Sequence, residues 1–450
     1  LSLSLSLSLS LSPFASRTPR QEGLRGASHE MRGSSMAGGC MRQRLWRLAL
    51  LALALLEGGL RRGAHGLASM RMSARERANL KQLRHNVVHR GDRGDQPLSG
   101  PPRVCVLGGG AFGLAMASVT GRKGIPTTVL MRNADDVAHF TEHGEHPRYL
   151  SGIPMPSAVS ATTDAAAALE EATYIIHAVP VQHSRDFLQE IAHLVPSGAP
   201  VLSTSKGIET SSLKLMTDIL GETLGSRSTA YLSGPSFAAE IAQGLATAVT
   251  IASEDPILAE EFAAIMSSNS FRAFTTSDVV GVEAGGAVKN VIALAAGMSE
   301  GLGLGTNAMA GLVTRGCWEM RRVALVLGAK PSTLMGLSGV GDTFGTCFGP
   351  LSRNRSLGVR LGKGETLEDI LASMNGVAEG VPTAFALREL VKKADPSYRL
   401  DLKYPIIFGV SDILEGKLDI REGLQNLMMM PIRAEMFDAE FSPLVGTRSR

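Results

Sequence analysis

The segment Gly108-Gly109-Gly110-Ala111-Phe112-Gly113 constrains this chain more than any other, because of what stands on either side of it. Before it, Arg103-Val104-Cys105-Val106-Leu107 reads as a short buried strand; after it, Leu114-Ala115-Met116-Ala117 opens a helix. A G-x-G-x-x-G spacing between strand and helix is the arrangement that receives a dinucleotide pyrophosphate. Gly108 permits the tight turn, Gly110 lets backbone approach the phosphates, and Gly113 lets helix and strand pack closely. The helix N-terminus adds free N–H groups and positive potential. On its own such a motif is equally a flexible glycine turn; its placement makes nucleotide binding the better reading.

The rest of the first half extends this pattern. A second strand spans 127–131, and further strand-like runs at 174–179, 201–204, 229–232, 247–252 and 271–275 alternate with helical spacings at 182–194 and 211–224. Strands alternating with helices of this length predict a largely parallel sheet covered on both faces. Ligands of such sheets bind beyond the carboxyl ends of the strands, where Ser205-Lys206-Gly207 and Ser233-Gly234-Pro235-Ser236-Phe237 fall. The second strand ends Met131-Arg132-Asn133, without the carboxylate that would take the ribose 2′-hydroxyl of NAD. Arg132 either faces the 2′-phosphate of NADP or is a solvated loop residue.

Beyond about Asp278 helical patterns take over, at 320–327, 367–374, 383–393, 406–414 and 420–429. The expected fold is therefore α/β: a Rossmann-like, largely parallel sheet domain over 101–278, an all-helical domain over 279–441, and a tail over 442–450. At the junction, Lys289 shares a helix face with Gly285, Gly286, Ile292 and Ala293. Either the lysine snorkels outward along its stem, or that face lines a cleft. In a cleft, desolvation or a cationic neighbour such as Lys206 would ease loss of its proton near the working pH.

The first hundred residues read as leader rather than fold. A Leu-Ser repeat fills 1–12, and Met31, Met36 or Met41 could be the start. Arg42, Arg44 and Arg47 precede a short apolar run at 48–56, and a basic, hydroxyl-containing stretch follows over 67–100. That order suggests a two-part plastid-targeting leader, with secretion, a mitochondrial leader or upstream translated sequence as alternatives. The net charge of +3 owes much to this segment and supports no nucleic-acid partner. Cys40, Cys105, Cys317 and Cys347 show no CxxC or Cys/His spacing, so no metal site or disulfide framework is expected.

From Gly285-Gly286-Ala287-Val288-Lys289-Asn290-Val291 through Leu312-Val313-Thr314-Arg315-Gly316, the chain resembles the bacterial and plastid NAD(P)-dependent glycerol-3-phosphate dehydrogenases. The other motifs follow in the family's order: the glycine turn, Ser205-Lys206-Gly207-Ile208-Glu209, Ser233-Gly234-Pro235-Ser236-Phe237-Ala238, Gly339-Val340-Gly341-Asp342, Ser352-Arg353-Asn354-Arg355 and Ala378-Glu379-Gly380. The resemblance covers roughly residues 103–440. It implies that Lys289 exchanges a proton with the C2 oxygen and that Lys206 stands near substrate and nicotinamide. It further implies that Gly234, Ser236, Asp342, Ser352, Arg353 and Asn354 meet the substrate. NAD or NADP would meet Ala111, Phe112, Ala238, Arg353, Val377 and Glu379, with no metal. A homodimer and a role in supplying glycerol 3-phosphate for glycerolipid synthesis come from the same source. Ser352–Arg355 without the resemblance would read as a solvated polar turn.

The match departs at Ala246, where many relatives carry proline, and at His146–Leu150, which follows the family's segment only loosely. Two other readings compete. One is another two-domain dehydrogenase of hydroxy acids or hydroxyacyl thioesters, which would use a His–Glu pair or a different lysine context. The only histidines after residue 150 are His177, His183 and His193, all in the sheet half. The other is a non-catalytic NAD(P)-binding redox sensor, which would be expected to lack Lys289 or the anion loop.

Overall fold

The computed structural model describes residues 101–374, 376 and 378–430. The leader, its plastid and start-site readings, Val377 and the tail from 431 lie outside the described residues. Sheet and helices belong to one compact unit.

The first half runs β1 (Val104–Leu107), α1 (Ala111–Arg122), β2 (Thr127–Leu130), α2 (Ala134–His143), β3 (Val159–Thr162), α3 (Ala165–Leu169), β4 (Tyr174–His177), α4 (Val181–Ile191) and β5 (Val201–Ser203). It continues through α5 (Met216–Leu224), β6 (Thr229–Ser233), α6 (Ala238–Ala242), β7 (Thr247–Ala252), α7 (Pro256–Met266) and β8 (Phe271–Thr276). The eight strands form one sheet ordered β3-β2-β1-β4-β5-β6-β7-β8. All pairs are parallel except β6 with β7. Side chains alternate across the strands, so Val104 and Val106 enter one buried cluster while Cys105 and Leu107 enter the cluster on the opposite face. Apolar runs this short survive as strands because both faces are covered.

Element bounds differ in places from the sequence reading. The helix expected over 211–224 begins at Met216, because Leu213 takes a left-handed conformation (φ 61°) that stops an earlier start. Strand β3 and helix α2 carried no strong periodic signal; α2 is set by its ends, where Asn133 accepts from the Asp135 and Asp136 N–H groups and Gly144 closes it at φ 70°.

The helical half comprises α8 (Val279–Gly301), α9 (Gly305–Val326), α10 (Pro331–Leu334), a π-helical turn (Leu337–Gly341), α11 (Asp342–Phe348), α12 (Arg353–Gly362), α13 (Leu367–Ser373), α14 (Gly380–Ala394), α15 (Leu400–Lys403), α16 (Pro405–Leu414) and α17 (Ile420–Met428). Helix α8 is apolar nearly all round, and such a helix belongs in a core. Its start joins the sheet-side core through Val279 and Val282, and from Ala284 onward it forms the centre of the helical core. It crosses α12 backbone to backbone. A Cβ at Gly297 would stand 2.9 Å from Gly358 Cα, and one at Gly362 would stand 3.0 Å from Gly301 Cα. The four glycines thus bring two main chains into direct contact.

Candidate active site

The glycine turn is built for a ligand rather than for packing alone. Gly108 holds φ +109°, and a Cβ there would meet Ala178 O at 2.9 Å; a Cβ on Gly113 would reach within 1.9 Å of Gly108 O. Gly110 is different: apart from the residue itself and its chain neighbours, no heavy atom of the described residues comes within 4 Å of where its Cβ would stand. The turn is closed behind and open in front, over the first turn of α1 with Ala111 and Phe112. Helix α1 has no side-chain cap, so its first N–H groups point into that space. Past β2, Arg132 is exposed, while the neighbouring Asn133 side chain is committed to capping α2. Ala238 opens α6 and leans on the sheet-side core.

Beyond the carboxyl ends of β5 and β6 the lysines converge. Lys206 follows β5, and its Nζ donates to Asp342 Oδ2 at 2.8 Å and to Gly234 O at 3.2 Å, with Ser236 Oγ at 3.5 Å. Ser236 Oγ itself donates to Gly234 O at 2.7 Å. Lys289, from the middle of α8, donates to Asp342 Oδ1 at 2.7 Å and to Thr346 Oγ1 at 2.8 Å. One carboxylate therefore bridges both ammonium groups, one oxygen each. The snorkelling reading of Lys289 fails, since its residue exposure is 8% and its tip is hydrogen-bonded inside the protein. The small residues beside it have a purpose: a Cβ on Gly286 would touch Lys206 Cγ at 3.3 Å, so glycine leaves room for the second lysine's stem.

The electrostatics follow from burial. Removal from water, reinforced by the Lys289 charge and opposed by Asp342, brings the Lys206 ammonium down to about 8. Burial alone would raise the Asp342 carboxyl, but Lys206 and Lys289 hold it below its ordinary value. Burial pushes the adjoining Cys347 thiol well up, and it raises the Cys105 thiol to about 12. Both are packing thiols, without the thiolate character a nucleophile needs.

The Ser352–Arg355 loop is the start of α12 and divides its labour. Ser352 Oγ caps the helix by accepting from Arg355 N–H. Asn354 is buried, its Nδ2 donating to Asn290 Oδ1 at 2.9 Å and its Oδ1 accepting from Gly380 N–H at 3.0 Å. It thereby ties α12 to the residue next to Lys289. Arg353 is exposed and passes over Gly376, where a Cβ would stand 2.5 Å from its Nη1. Glu379 lies near this arginine; burial raises its carboxyl, while Arg353 and the Val181 N–H oppose the rise.

Two participants escaped the sequence reading. Thr346 lies one helical turn after Asp342 and grips the Lys289 ammonium, a position that i, i+4 spacing on α11 could have flagged. Asn290 follows the lysine directly, but nothing local marked it as the partner of Asn354. Among the described residues no group of three or more His, Cys, Asp or Glu is arranged to hold a metal ion.

Known proteins were then compared with this chain. The family model described as NAD-dependent glycerol-3-phosphate dehydrogenase N-terminus matches residues 103–259, and its C-terminus counterpart matches 278–425. The chain is similar to glycerol-3-phosphate dehydrogenase (NAD+) 2, chloroplastic, of Arabidopsis thaliana, 45% identical over 333 residues covering 73% of this chain and 78% of that one. It is similar also to the glycerol-3-phosphate dehydrogenase (NAD(P)+) of Stenotrophomonas maltophilia, 42% identical over 75% of this chain and 98% of the other. Among solved structures, the glycerol-3-phosphate dehydrogenase of Coxiella burnetii superimposes with a TM-score of 0.69 at 33% identity, covering 73% of this chain and 99% of that one.

Proposed function

Because this chain belongs to the NAD-dependent glycerol-3-phosphate dehydrogenase family, we propose that Lys206, Lys289 and Asp342 form its reaction centre and that the start of α12 receives the substrate phosphate. The enzyme is an NAD(P)-dependent oxidoreductase that interconverts dihydroxyacetone phosphate and sn-glycerol 3-phosphate. The observation that carries the proposal is the single Asp342 carboxylate shared between two lysines.

The nicotinamide, when bound, supplies or takes up the hydride at C2. In the reducing direction negative charge grows on the C2 oxygen. An ammonium at Lys289 stabilises that charge and delivers the proton, and in oxidation it takes the proton back. Asp342 and Thr346 hold its Nζ from two sides, which fixes the donor before the reaction begins. Lys206, on the other carboxylate oxygen and against Gly234 and Ser236, supplies a second cation on the sheet side. Two ammonium groups against one carboxylate leave the centre net positive, suited to an anionic substrate. Arg353 and the first N–H groups of α12 meet the phosphate. Ser352 and Asn354, whose polar atoms cap α12 or bind Asn290 and Gly380, support this end chiefly by shaping it. The open front of the glycine turn receives the pyrophosphate, with Gly108, Gly110, Gly113, Ala111 and Phe112 around it and Arg132 toward the adenosine ribose. Ala238, Val377 and Glu379 complete the cofactor's surroundings.

The same reading takes 101–278 as the cofactor domain and 279–441 as the substrate domain. The leader's composition and the chloroplastic name of the Arabidopsis relative support a plastid destination. The family resemblance supports a homodimer and a role in supplying glycerolipid precursors. Nicotinamide absorbance after addition of dihydroxyacetone phosphate, with NADH and NADPH in parallel, tests the assignment. Oxidation of neither by folded, cofactor-binding protein overturns it in favour of a redox sensor.

A further inference from the structure

We propose that Glu283 is a positioning residue that ties the helix bearing Lys289 to the chain segment bearing Lys206, and so sets the spacing of the two lysines from outside the reaction centre. The inference rests on the reading of those lysines as the reacting pair.

The first N–H groups of any helix need acceptors. Helix α5 begins after Leu215, whose side chain cannot accept a hydrogen bond. The missing cap arrives from another element. Glu283 of α8 accepts from Thr217 N–H through Oε1 at 3.1 Å, and the Thr217 hydroxyl donates to Oε2. Asp218, in the first turn of α5, turns back to accept from Leu215 N–H, so its carboxylate does not replace Glu283.

The location gives this cap its meaning. Glu283 stands six residues before Lys289 on one continuous helix, between Val282, which packs in the sheet-side core, and Ala284, which packs in the helical core. Thr217 stands in the first turn of α5, just after the loop that leaves β5 through Lys206. A single side chain thus links the two segments whose lysines meet at Asp342. Asp342 joins the ammonium tips; Glu283 joins α8, six residues before Lys289, to the first turn of α5, eleven residues after Lys206. Burial pushes the Glu283 carboxyl up to about 7, against the pull of the Thr217 bonds and with the Asp218 charge adding to the rise. A solvated cap on α5 itself would avoid that penalty, so a purely local helix end does not require this arrangement.

The test uses the full-length enzyme and compares Glu283→Ala, Glu283→Gln and Thr217→Val, with Lys289→Met alongside. Loosening the tie displaces Lys289 relative to Lys206, and displacement of a reacting group by about 1 Å can cost on the order of 100-fold in rate. For Glu283→Ala the expected result is a fall in kcat of about 10-fold or more, with KM for dihydroxyacetone phosphate and NADH affinity changed less than about 3-fold. Glu283→Gln, which still accepts from Thr217 N–H, should recover most of kcat, and Thr217→Val should reproduce part of the loss. An unchanged kcat in Glu283→Ala overturns the proposal. So does a loss that tracks NADH affinity and Tm together and is not recovered by Gln, since that is the signature of a merely structural cap. Full turnover in Lys289→Met would instead overturn the lysine assignment itself, whatever the Glu283 variants do.

Discussion

Lys289 Nζ and Asp342 Oδ1 stand 2.7 Å apart in the interior although 53 positions separate them in the chain. Neither would be retained there singly, because a buried charge without a partner costs several kcal/mol. The pair places an oriented proton donor at the junction of sheet and helices. Lys289→Met keeps the stem and removes the ammonium. Turnover should be lost, while NADH binding measured by fluorescence titration stays within about 3-fold. Loss of cofactor binding and fold together would return Lys289 to a structural role.

The pH dependence of reduction follows from Lys206, whose ammonium is brought from 10.5 to about 8, first by burial. Below about 8 it carries its proton; above, the second cation of the centre is lost. Initial rates of dihydroxyacetone phosphate reduction should therefore fall as pH rises through about 8, and Lys206→Arg should move that limb upward. Stability responds with the opposite sign. Between about 8 and 10.5 the unfolded chain binds the extra proton, so this group's contribution to ΔG of unfolding rises with pH there.

Gly358→Ala tests the helix crossing. The added Cβ would lie 2.2 Å from Leu294 O and 3.0 Å from Gly297 Cα, so α8 and α12 must separate. Overpacking of this kind costs about 1–3 kcal/mol, visible as a lowered Tm. The displaced start of α12 should raise KM for dihydroxyacetone phosphate more than it changes NADH affinity. Equal effects on both would mean that α12 does not receive the phosphate.

Arg132→Ala addresses cofactor choice. Charged hydrogen bonds are worth about 1.5–3 kcal/mol, so an arginine that meets a 2′-phosphate should give roughly a 10-fold or greater loss of NADPH affinity on removal. NADH affinity should hardly move. Equal behaviour of the two cofactors would identify Arg132 as a solvated loop residue.

What could be read from the sequence was whatever local pattern determines. Val104–Leu107 followed by the glycine turn announced strand, turn and helix, because each depends on neighbours a few residues away. Lys289 was conspicuous for the same reason, as a charge on a strip of glycine and alanine. Its partners were not. Asp342, Thr346 and Lys206 reach it from separate elements, and only three-dimensional packing decides which oxygen faces which nitrogen. The start of α12 shows the converse. The resemblance implied three substrate ligands there, yet packing assigns Ser352 to a cap and Asn354 to a buried amide pair, leaving Arg353 exposed. Strand β3 left little trace because a four-residue edge strand needs only one apolar face.

The contact of Gly297 and Gly301 with Gly358 and Gly362 fixes how α8 and α12 lie against each other. Lys289 lies eight residues, roughly 12 Å of helix, from the first of these glycines, and Arg353 lies five residues before its counterpart. Both residues are thus carried from one main-chain junction that no side chain can adjust. Exchanging side chains around these two residues leaves that junction where it is. Only a shift of one helix along the other would alter how far the backbone of Lys289 stands from that of Arg353, so their separation is written into the crossing of two main chains.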